Sequence, residues 1–97
     1  MKLVIVPAAL AELRDAAAFY AARANVELAF AFIGEFERAV DVILDNPKIG
    51  VVFRGERRRY LLRRFPYSVI YLPTIEEIRV IAVAHQRRRP GYWARRS

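Results

Sequence analysis

Hydrophobic positions divide the chain into a short strand, two helices and three further strands. Lys2–Val6 is a β-branched run that predicts a buried strand, and Pro7 ends it while suiting the first position of a helix. From Ala8 to about Ala24 the chain is rich in alanine, and its apolar residues recur at spacings of three and four, as on one helix face. The predicted face consists of Leu10, Leu13, Ala17, Tyr20 and Ala24.

A second helix is predicted after a short break at Arg23–Asn25, which makes the two helices an antiparallel hairpin. Asn25 is a suitable N-cap, Glu27 favours the first turn, and Asn46–Pro47 ends the helix. The main apolar stripe is predicted at Val26, Phe30, Ile33, Phe36 or Glu37, Val40 and Ile43 or Leu44. Because further apolar residues lie off this stripe, the helix is expected to contact both the first helix and a sheet. They are Leu28, Phe32, Ala39 and Val42.

The second half of the chain predicts a sheet. A loop at Pro47–Gly55 precedes strands at about Arg58–Arg64, Tyr67–Leu72 and Ile78–Ala84, and their short connections favour antiparallel pairing. Alternation in the last strand places Ile78, Val80, Ala82 and Ala84 on one face, and Arg79, Ile81, Val83 and His85 on the other. The predicted fold class is α+β, in the order β-α-α-β-β-β, with a helical hairpin packed on an antiparallel sheet.

Length and composition exclude several classes of protein. At 97 residues a single domain, 1–97, is expected. The absence of cysteine excludes disulfides and cysteine metal sites, and a single histidine excludes a multi-histidine metal cluster, so neither a metal nor a cofactor is expected. The N-terminus lacks the pattern of a signal peptide, and no apolar run is long enough to cross a bilayer. A cytoplasmic location without membrane contact is therefore predicted.

Charge is distributed very unevenly along the chain. The segment Arg54–Ser97 holds twelve arginines and three acidic residues, a net charge of +9, whereas Met1–Phe53 holds five basic and seven acidic residues, a net charge of −2. The positive charge thus lies on the half that is predicted to form the sheet. Such a division indicates an acidic partner, which is as readily a protein as a nucleic acid.

Few residues are available for catalysis. Ser68, Ser97 and Thr74 are the only hydroxyl candidates for a nucleophile, and none has a histidine–carboxylate pair nearby in the sequence. Seven of the ten acidic residues fall on the helices at spacings typical of solvent-facing positions, which argues against paired carboxylates. Glu76 and Glu77 have the character of turn residues. The sequence also has no glycine-rich phosphate loop.

RNA cleavage without a metal is the one chemistry that the residues allow. It requires an acid or base, which His85 could supply, and a residue that positions a proton or a base, such as Tyr92 or Tyr71. His85 could instead be a strand-end histidine that hydrogen-bonds a backbone group and orders the C-terminal tail, Gln86–Ser97. Tyr92 and Trp93 either pack the C-terminus onto the sheet or stack on bases. The phosphate would be held by Arg57, Arg63, Arg64, Arg79 or Arg87.

Several segments together resemble the RelE/ParE superfamily of toxins from type II toxin–antitoxin systems. They are the start VIVPAALAELRDAAAFY, the proline-terminated second helix, the block LLRRFPYSVIYLP and the block IRVIAVAHQRRRPGYW. The resemblance covers essentially the whole length, and the two last blocks are its most specific part. It implies the β-α-α-β-β-β order that the periodicity also predicts.

The resemblance implies one of two activities. RelE-like members bind in the ribosomal A site and cut mRNA with lysine, arginine, tyrosine and sometimes histidine or glutamate side chains, whereas ParE-like members inhibit DNA gyrase and lack that set. The only lysines here are Lys2 and Lys48, and the helical hairpin is closer to the ParE-like branch, which we therefore favour. His85 and Tyr92, with Arg63, Arg64 and Arg87, keep the endoribonuclease alternative open.

Both branches imply a cognate antitoxin and hence a hetero-oligomer. A disordered acidic and apolar segment of the antitoxin is expected to cover the helical hairpin and the basic sheet. A third hypothesis is a non-toxic interaction module with a basic surface. The residues predicted to bind the target or the antitoxin are Arg57, Arg58, Arg59, Arg63, Arg64, Arg79, Arg87, Arg88, Arg89, Tyr92 and Trp93.

Overall fold

A helical hairpin packs on a five-stranded sheet in the computed structural model, which describes residues 1–96. Ser97, the last residue of the predicted tail, lies outside the described residues. The strand order is β1-β5-β4-β3-β2, and the predicted α+β class is confirmed. The elements are β1 (Lys2–Ile5), α1 (Pro7–Arg23), α2 (Val26–Asp45), β2 (Val51–Val52), β3 (Arg58–Leu61), β4 (Tyr67–Pro73) and β5 (Glu77–His85).

The sheet is mixed, whereas the sequence predicted antiparallel pairing. β1 pairs in parallel with β5, while the other pairs are antiparallel. The two helices follow β1 directly, and the chain then crosses to the far edge of the sheet before it returns. A fifth strand, β2, lies within the predicted loop at Pro47–Gly55; its two residues are too few to show any periodicity. β3 ends at Leu61 rather than Arg64, because the chain turns there and Leu62 N–H donates to the carbonyl of Tyr67.

A β-bulge in β5 changes which side chains share a face. Ile70 lies opposite Ala82, but the next residue, Tyr71, lies opposite Val80, so Ile81 is an extra residue in β5. The predicted alternation is therefore wrong beyond Ile81. Ile78 and Val80 share the helix side of the sheet with Val83 and His85, and Arg79 shares the opposite side with Ala82 and Ala84.

The predicted helix stripes are confirmed in part. In α1, Leu13 is buried and Leu10, Ala17 and Tyr20 pack partly buried against the core, as predicted. Ala24 is exposed, and Ala9 and Ala16 are buried as well. In α2 the predicted positions Val26 and Phe30 are 53% and 71% exposed. The core face of α2 consists of Ala29, Phe32, Phe36, Ala39, Val40 and Ile43, so the helix is rotated towards Phe32 at its start and the predicted stripe is confirmed from Phe36 onward.

An aromatic cluster explains this rotation of α2. Phe32 is fully buried, with its ring centroid 5.4 Å from that of Tyr20, 5.3 Å from Phe65 and 5.2 Å from Tyr67. Edge-to-face contacts of this kind favour one rotation of the helix over others that bury a similar apolar area. Asn25 caps α2 as predicted, since its Oδ1 accepts the N–H of Leu28 at 2.7 Å.

Candidate functional site

Two groups of arginines meet at one end of the sheet. Arg63 and Arg64 lie in the β3–β4 connection, and Arg87–Arg89 follow β5. The two segments adjoin because Tyr67 pairs with His85 and because Gln86 N–H donates to the carbonyl of Pro66 at 2.8 Å. All five arginines are exposed. We call the surface formed by Arg63, Arg64, Arg87, Arg88 and Arg89 the basic end.

Arg57, by contrast, holds the C-terminal tail. Its Nη2 donates to the carbonyl of Arg96 at 3.1 Å and more weakly to that of Ala94 at 3.4 Å. Its guanidinium also lies over the ring of Trp93, 5.8 Å from the centroid. This half-buried arginine is thus a structural residue of the tail, whereas the sequence placed it among the binding residues.

Two further predicted binding arginines have internal partners. Arg58 is half-buried, and its Nη1 donates to the carbonyls of Gly50 at 2.7 Å and Lys48 at 3.1 Å, which ties β3 to the loop after α2. Arg79 forms an ion pair with Glu77 at 2.8 Å. Arg59, the other predicted residue in this strand region, is exposed and lies over the ring of Phe53, beside a groove on the sheet face opposite the helices.

A carboxylate from α1 joins the tail to β5. Glu12 accepts hydrogen bonds from Val83 N–H at 3.1 Å, the Tyr92 hydroxyl at 2.5 Å and Arg96 Nη1 at 2.8 Å. β1 pairs with β5 only as far as Val80, so the Val83 N–H has no strand partner on that side and bonds the carboxylate instead. We call Glu12, Val83, Tyr92 and Arg96 the Glu12 cluster.

The environment of Tyr92 makes it a poor proton acceptor. Arg88 lies over its ring at 3.9 Å from the centroid, and Arg96 lies at 5.1 Å. Burial raises the pKa of the Tyr92 hydroxyl well above its usual range, and the hydrogen bond to the Glu12 carboxylate raises it further, because both disfavour a phenolate. Tyr92 therefore has a structural role, in which its hydroxyl joins the tail to Glu12 on α1.

His85 also uses its ring to hold the backbone. Its Nδ1 accepts the N–H of Arg87 at 3.0 Å, and its ring meets the edge of Tyr67 with centroids 4.9 Å apart. An imidazole whose Nδ1 accepts a hydrogen bond carries its proton on Nε2 when neutral. It then has a donor but no free lone pair, so in this geometry it does not offer a general base.

Trp93 lies in the interior. Its side chain is 1% exposed, and its ring centroid is 5.7 Å from that of Phe53. In this position it adds to the core between the tail and the sheet and presents no face for stacking with a base.

Two acidic residues that sequence reasoning assigned to solvent are half-buried. Glu12 organises the tail, and Glu35 pairs with Arg38 at 2.6 Å while accepting the N–H of Arg63 at 3.0 Å. The hydrogen bond from Arg38 lowers the pKa of Glu35. Both carboxylates have buried residues at i−3, i+1 and i+4 on their helices. An acidic residue with apolar residues at these three spacings is the sequence pattern that would have identified Glu12 and Glu35 as half-buried.

The described chain offers neither a metal-binding group nor a membrane-spanning helix. Within the described chain, 1–96, no three histidine, aspartate or glutamate side chains come together in a group that could hold a metal ion. Among these residues, too, no helix is long and apolar enough to cross a membrane. The cytoplasmic location remains a prediction.

The raised pKa of Tyr92 predicts a specific alkaline effect. In the unfolded chain the Tyr92 hydroxyl ionises near pH 10, whereas in the folded chain it keeps its proton to higher pH. The contribution of Tyr92 to stability is therefore complete below pH 10 and decreases above it. We expect the stability advantage of the wild type over Tyr92→Phe to shrink as the pH rises from 10. Urea unfolding of both proteins across this range measures it, and the other tyrosines cancel in the comparison. A difference that is constant with pH would contradict the assignment.

Comparison with known proteins supports a single family. Residues 3–90 match the model of a family described as the ParE toxin of the type II toxin–antitoxin system, parDE. The chain is similar in structure to a solved chromosomal ParDE toxin–antitoxin system from P. aeruginosa, with a TM-score of 0.75 and 19% identity over 88% of this chain and 95% of the other. No curated protein matches the sequence. Because the family match spans most of the chain and agrees with the predicted ParE-like branch, the chain belongs to the ParE toxin family of type II toxin–antitoxin systems.

Proposed function

We propose that this chain inhibits DNA gyrase by binding it, without catalysis, and that a cognate antitoxin neutralises it. The observation that carries the proposal is the match to the ParE toxin family over residues 3–90. Inhibition by binding requires an exposed, preformed surface rather than a set of catalytic groups. The basic end is exposed, and it is held in place by the backbone contacts of β3, β4 and β5.

The alternative, a ribosome-dependent mRNA endoribonuclease, is less well supported by the geometry. A nuclease needs a group that can take a proton from the ribose 2′-hydroxyl. His85 Nδ1 is occupied by the N–H of Arg87, and the Tyr92 hydroxyl donates to Glu12. Arg87 and the β3–β4 turn lie at the same end of the sheet as His85. Arginine side chains there would hold a phosphate, but they would not accept a proton from the ribose.

Exposed apolar residues on the helical hairpin support the proposal of an antitoxin. Phe19 on α1 is 50% exposed, and Val26 and Phe30 on α2 are 53% and 71% exposed. Val26 and Phe30 are four residues apart and therefore lie on the same side of α2. A covering segment with apolar residues for this surface and acidic residues for the basic sheet would bury both, which fits the composition expected of the antitoxin.

A supercoiling assay tests the proposed target. We expect purified toxin to inhibit supercoiling of relaxed plasmid by gyrase, and we expect the antitoxin, added in equal amount, to restore it. Relaxation of plasmid by a topoisomerase of another type is the control for general effects on DNA. In a parallel cell-free translation reaction, mRNA should stay intact in the presence of toxin.

The outcomes separate the hypotheses. Unchanged supercoiling together with mRNA cleavage would replace gyrase by the ribosome as the target. Unchanged supercoiling, intact mRNA and normal growth on expression of soluble toxin would favour the non-toxic interaction module. Cleavage of mRNA that is abolished by His85→Ala, with folding intact, would show that the proposed absence of a catalytic role for His85 is wrong.

A further inference from the structure

We propose that the basic end binds the phosphate backbone of double-stranded DNA, so that the toxin contacts DNA directly in addition to a protein target. Five exposed arginines from two chain segments form this surface. The choice of DNA as the polyanion rests on the proposed function, since gyrase holds a DNA duplex. Binding to DNA in the absence of gyrase is nevertheless a separate property and is tested separately.

Within the described part of the chain, no arginine of the basic end forms an ion pair with an acidic side chain. Glu12 is occupied by Arg96 and Tyr92, and Glu35 by Arg38. Among the described residues, the ion pairs of these two carboxylates do not include an arginine of the basic end. The chain as a whole carries a net charge of +7, so an anionic ligand near this surface is favoured at long range as well as on contact.

The backbone under these arginines is fixed. Arg87 N–H donates to His85 Nδ1, and Arg88 N–H donates to the carbonyl of His85, both at 3.0 Å. On the other segment, Arg63 N–H donates to Glu35 at 3.0 Å. The side chains remain exposed, so phosphate binding would not require the chain to fold first. Arginine suits this role, because its planar guanidinium can bind two phosphate oxygens at once.

The conformation of Arg64 allows its charge to be tested separately from its backbone strain. Its φ is 69°, in the left-handed region where glycine is the favoured residue and a branched or long side chain is strained. Arg54, outside the basic end, has a similar φ of 70°, so this conformation alone does not mark a binding residue. The Arg64 guanidinium lies over the ring of Phe65 at 5.4 Å from the centroid.

The aromatic residues of the tail favour a duplex over a single strand. Single-strand binding uses exposed aromatic faces on which the bases stack. Trp93 is 1% exposed, and Arg88 and Arg96 lie over the ring of Tyr92, at 3.9 and 5.1 Å from its centroid. The exposed groups are guanidinium groups, which bind phosphates without reading base sequence.

Fluorescence anisotropy with a short labelled DNA duplex tests the proposal. We expect binding that weakens as salt increases, because each phosphate contact contributes about 0.9 to the slope of log affinity against log salt. The triple variant Arg63→Ala/Arg87→Ala/Arg89→Ala should reduce that slope by about 2 to 3 and weaken binding more than about tenfold at low salt. Circular dichroism and thermal unfolding check that the variant is folded.

A variant of equal charge is the control. Lys2→Gln/Arg14→Gln/Lys48→Gln removes the same three charges from exposed positions outside the basic end. It should weaken binding by less than about threefold and leave the slope nearly unchanged. Equal losses in both triple variants would overturn the proposal, because net charge alone would then explain binding.

Two further arms complete the test. Arg64→Gly and Arg64→Ala remove the same charge but differ in backbone strain, so both should weaken DNA binding equally; unequal weakening would assign the effect to the turn instead.

Tighter binding to polyglutamate, a single strand or an RNA duplex than to the DNA duplex would also overturn the proposal. Gyrase inhibition by wild-type toxin that does not bind the duplex would leave the proposed function intact and remove only this inference.

Discussion

Replacement of Trp93 by alanine is expected to destabilise the protein by about 3–5 kcal/mol, the range typical of a large aromatic removed from a core. Trp93 is 1% exposed, packs on Phe53 and lies under Arg57. The variant would lose these contacts and leave a cavity between the tail and the sheet. Arg57 would then lose its aromatic neighbour while its bonds to the tail carbonyls weaken.

Urea unfolding measures this effect, and the chain offers a matched control. Arg95 is exposed in the same tail, so Arg95→Ala should change the free energy of unfolding by less than about 0.5 kcal/mol. Trp93 is the only tryptophan, and its emission in the native wild type should be blue-shifted relative to the unfolded protein. A loss below about 1 kcal/mol on Trp93→Ala would mean that the tail is detached in solution and that Trp93 is available to bind a ligand.

The periodicity of the sequence predicted the elements better than their orientation. Spacings of three and four located both helices, and Asn25 marked the start of α2. The rotation of α2 could not be predicted, because apolar residues occur on more than one of its sides. Contacts of Phe32 with Phe65 and Tyr67, residues more than thirty positions away, decide it.

Local patterns also miss features that depend on a neighbouring strand. The extra residue Ile81 is recognisable only from the pairing of β5 with β4, and alternation alone placed Ala82 on the wrong side. β2 is a strand only because Val51 and Val52 pair with β3. Its position is supported by the Tyr71 hydroxyl, which accepts Gly50 N–H at 2.9 Å and donates to the Pro47 carbonyl.

The sequence predicted that the candidate site is basic, but it did not predict which arginines stabilise the fold and which remain exposed. Composition indicated a basic sheet half, and the structure separates its arginines into two sets. Arg57, Arg58 and Arg96 bond backbone carbonyls or Glu12 and so stabilise the fold. Of the exposed arginines in this half, Arg63, Arg64 and Arg87–Arg89 form the basic end, whereas Arg54, Arg59 and Arg95 lie outside it. Nothing in the spacing of arginines along the chain distinguishes these sets, because the partners are backbone oxygens brought close by folding.

The C-terminal tail and the basic end depend on each other structurally, because one continuous segment contributes to both. The segment that supplies Arg87–Arg89 continues directly into Tyr92, Trp93 and Arg96, which fasten it to the core and to α1. The structural contacts of the tail therefore fix the C-terminal side of the segment on which Arg87–Arg89 lie. A variant that releases the tail should disorder part of the basic end even though it removes no charge from it.

Glu12→Ala is expected to be the most damaging change on the surface of α1, with a loss of about 2–3 kcal/mol. It would leave Val83 N–H and the Tyr92 hydroxyl without their acceptor and Arg96 without its ion pair. The carboxylate and the guanidinium keep partial contact with water, at 16% and 24% side-chain exposure, so the loss should fall below that of a fully buried pair. Asp15→Ala, an exposed acid on the same helix, is the control and should change stability by less than about 0.5 kcal/mol.

A double-mutant cycle with Tyr92→Phe shows whether the Glu12 cluster acts as one unit. If the tyrosine hydroxyl and the carboxylate depend on each other, the effects of Glu12→Ala and Tyr92→Phe should fall short of additivity by about 1 kcal/mol. Additive effects would mean that Glu12 stabilises β5 and Arg96 without holding Tyr92. In that case the tail would be fastened chiefly by Trp93 and Arg57, and the release of Tyr92 alone should leave the position of Arg87–Arg89 unchanged.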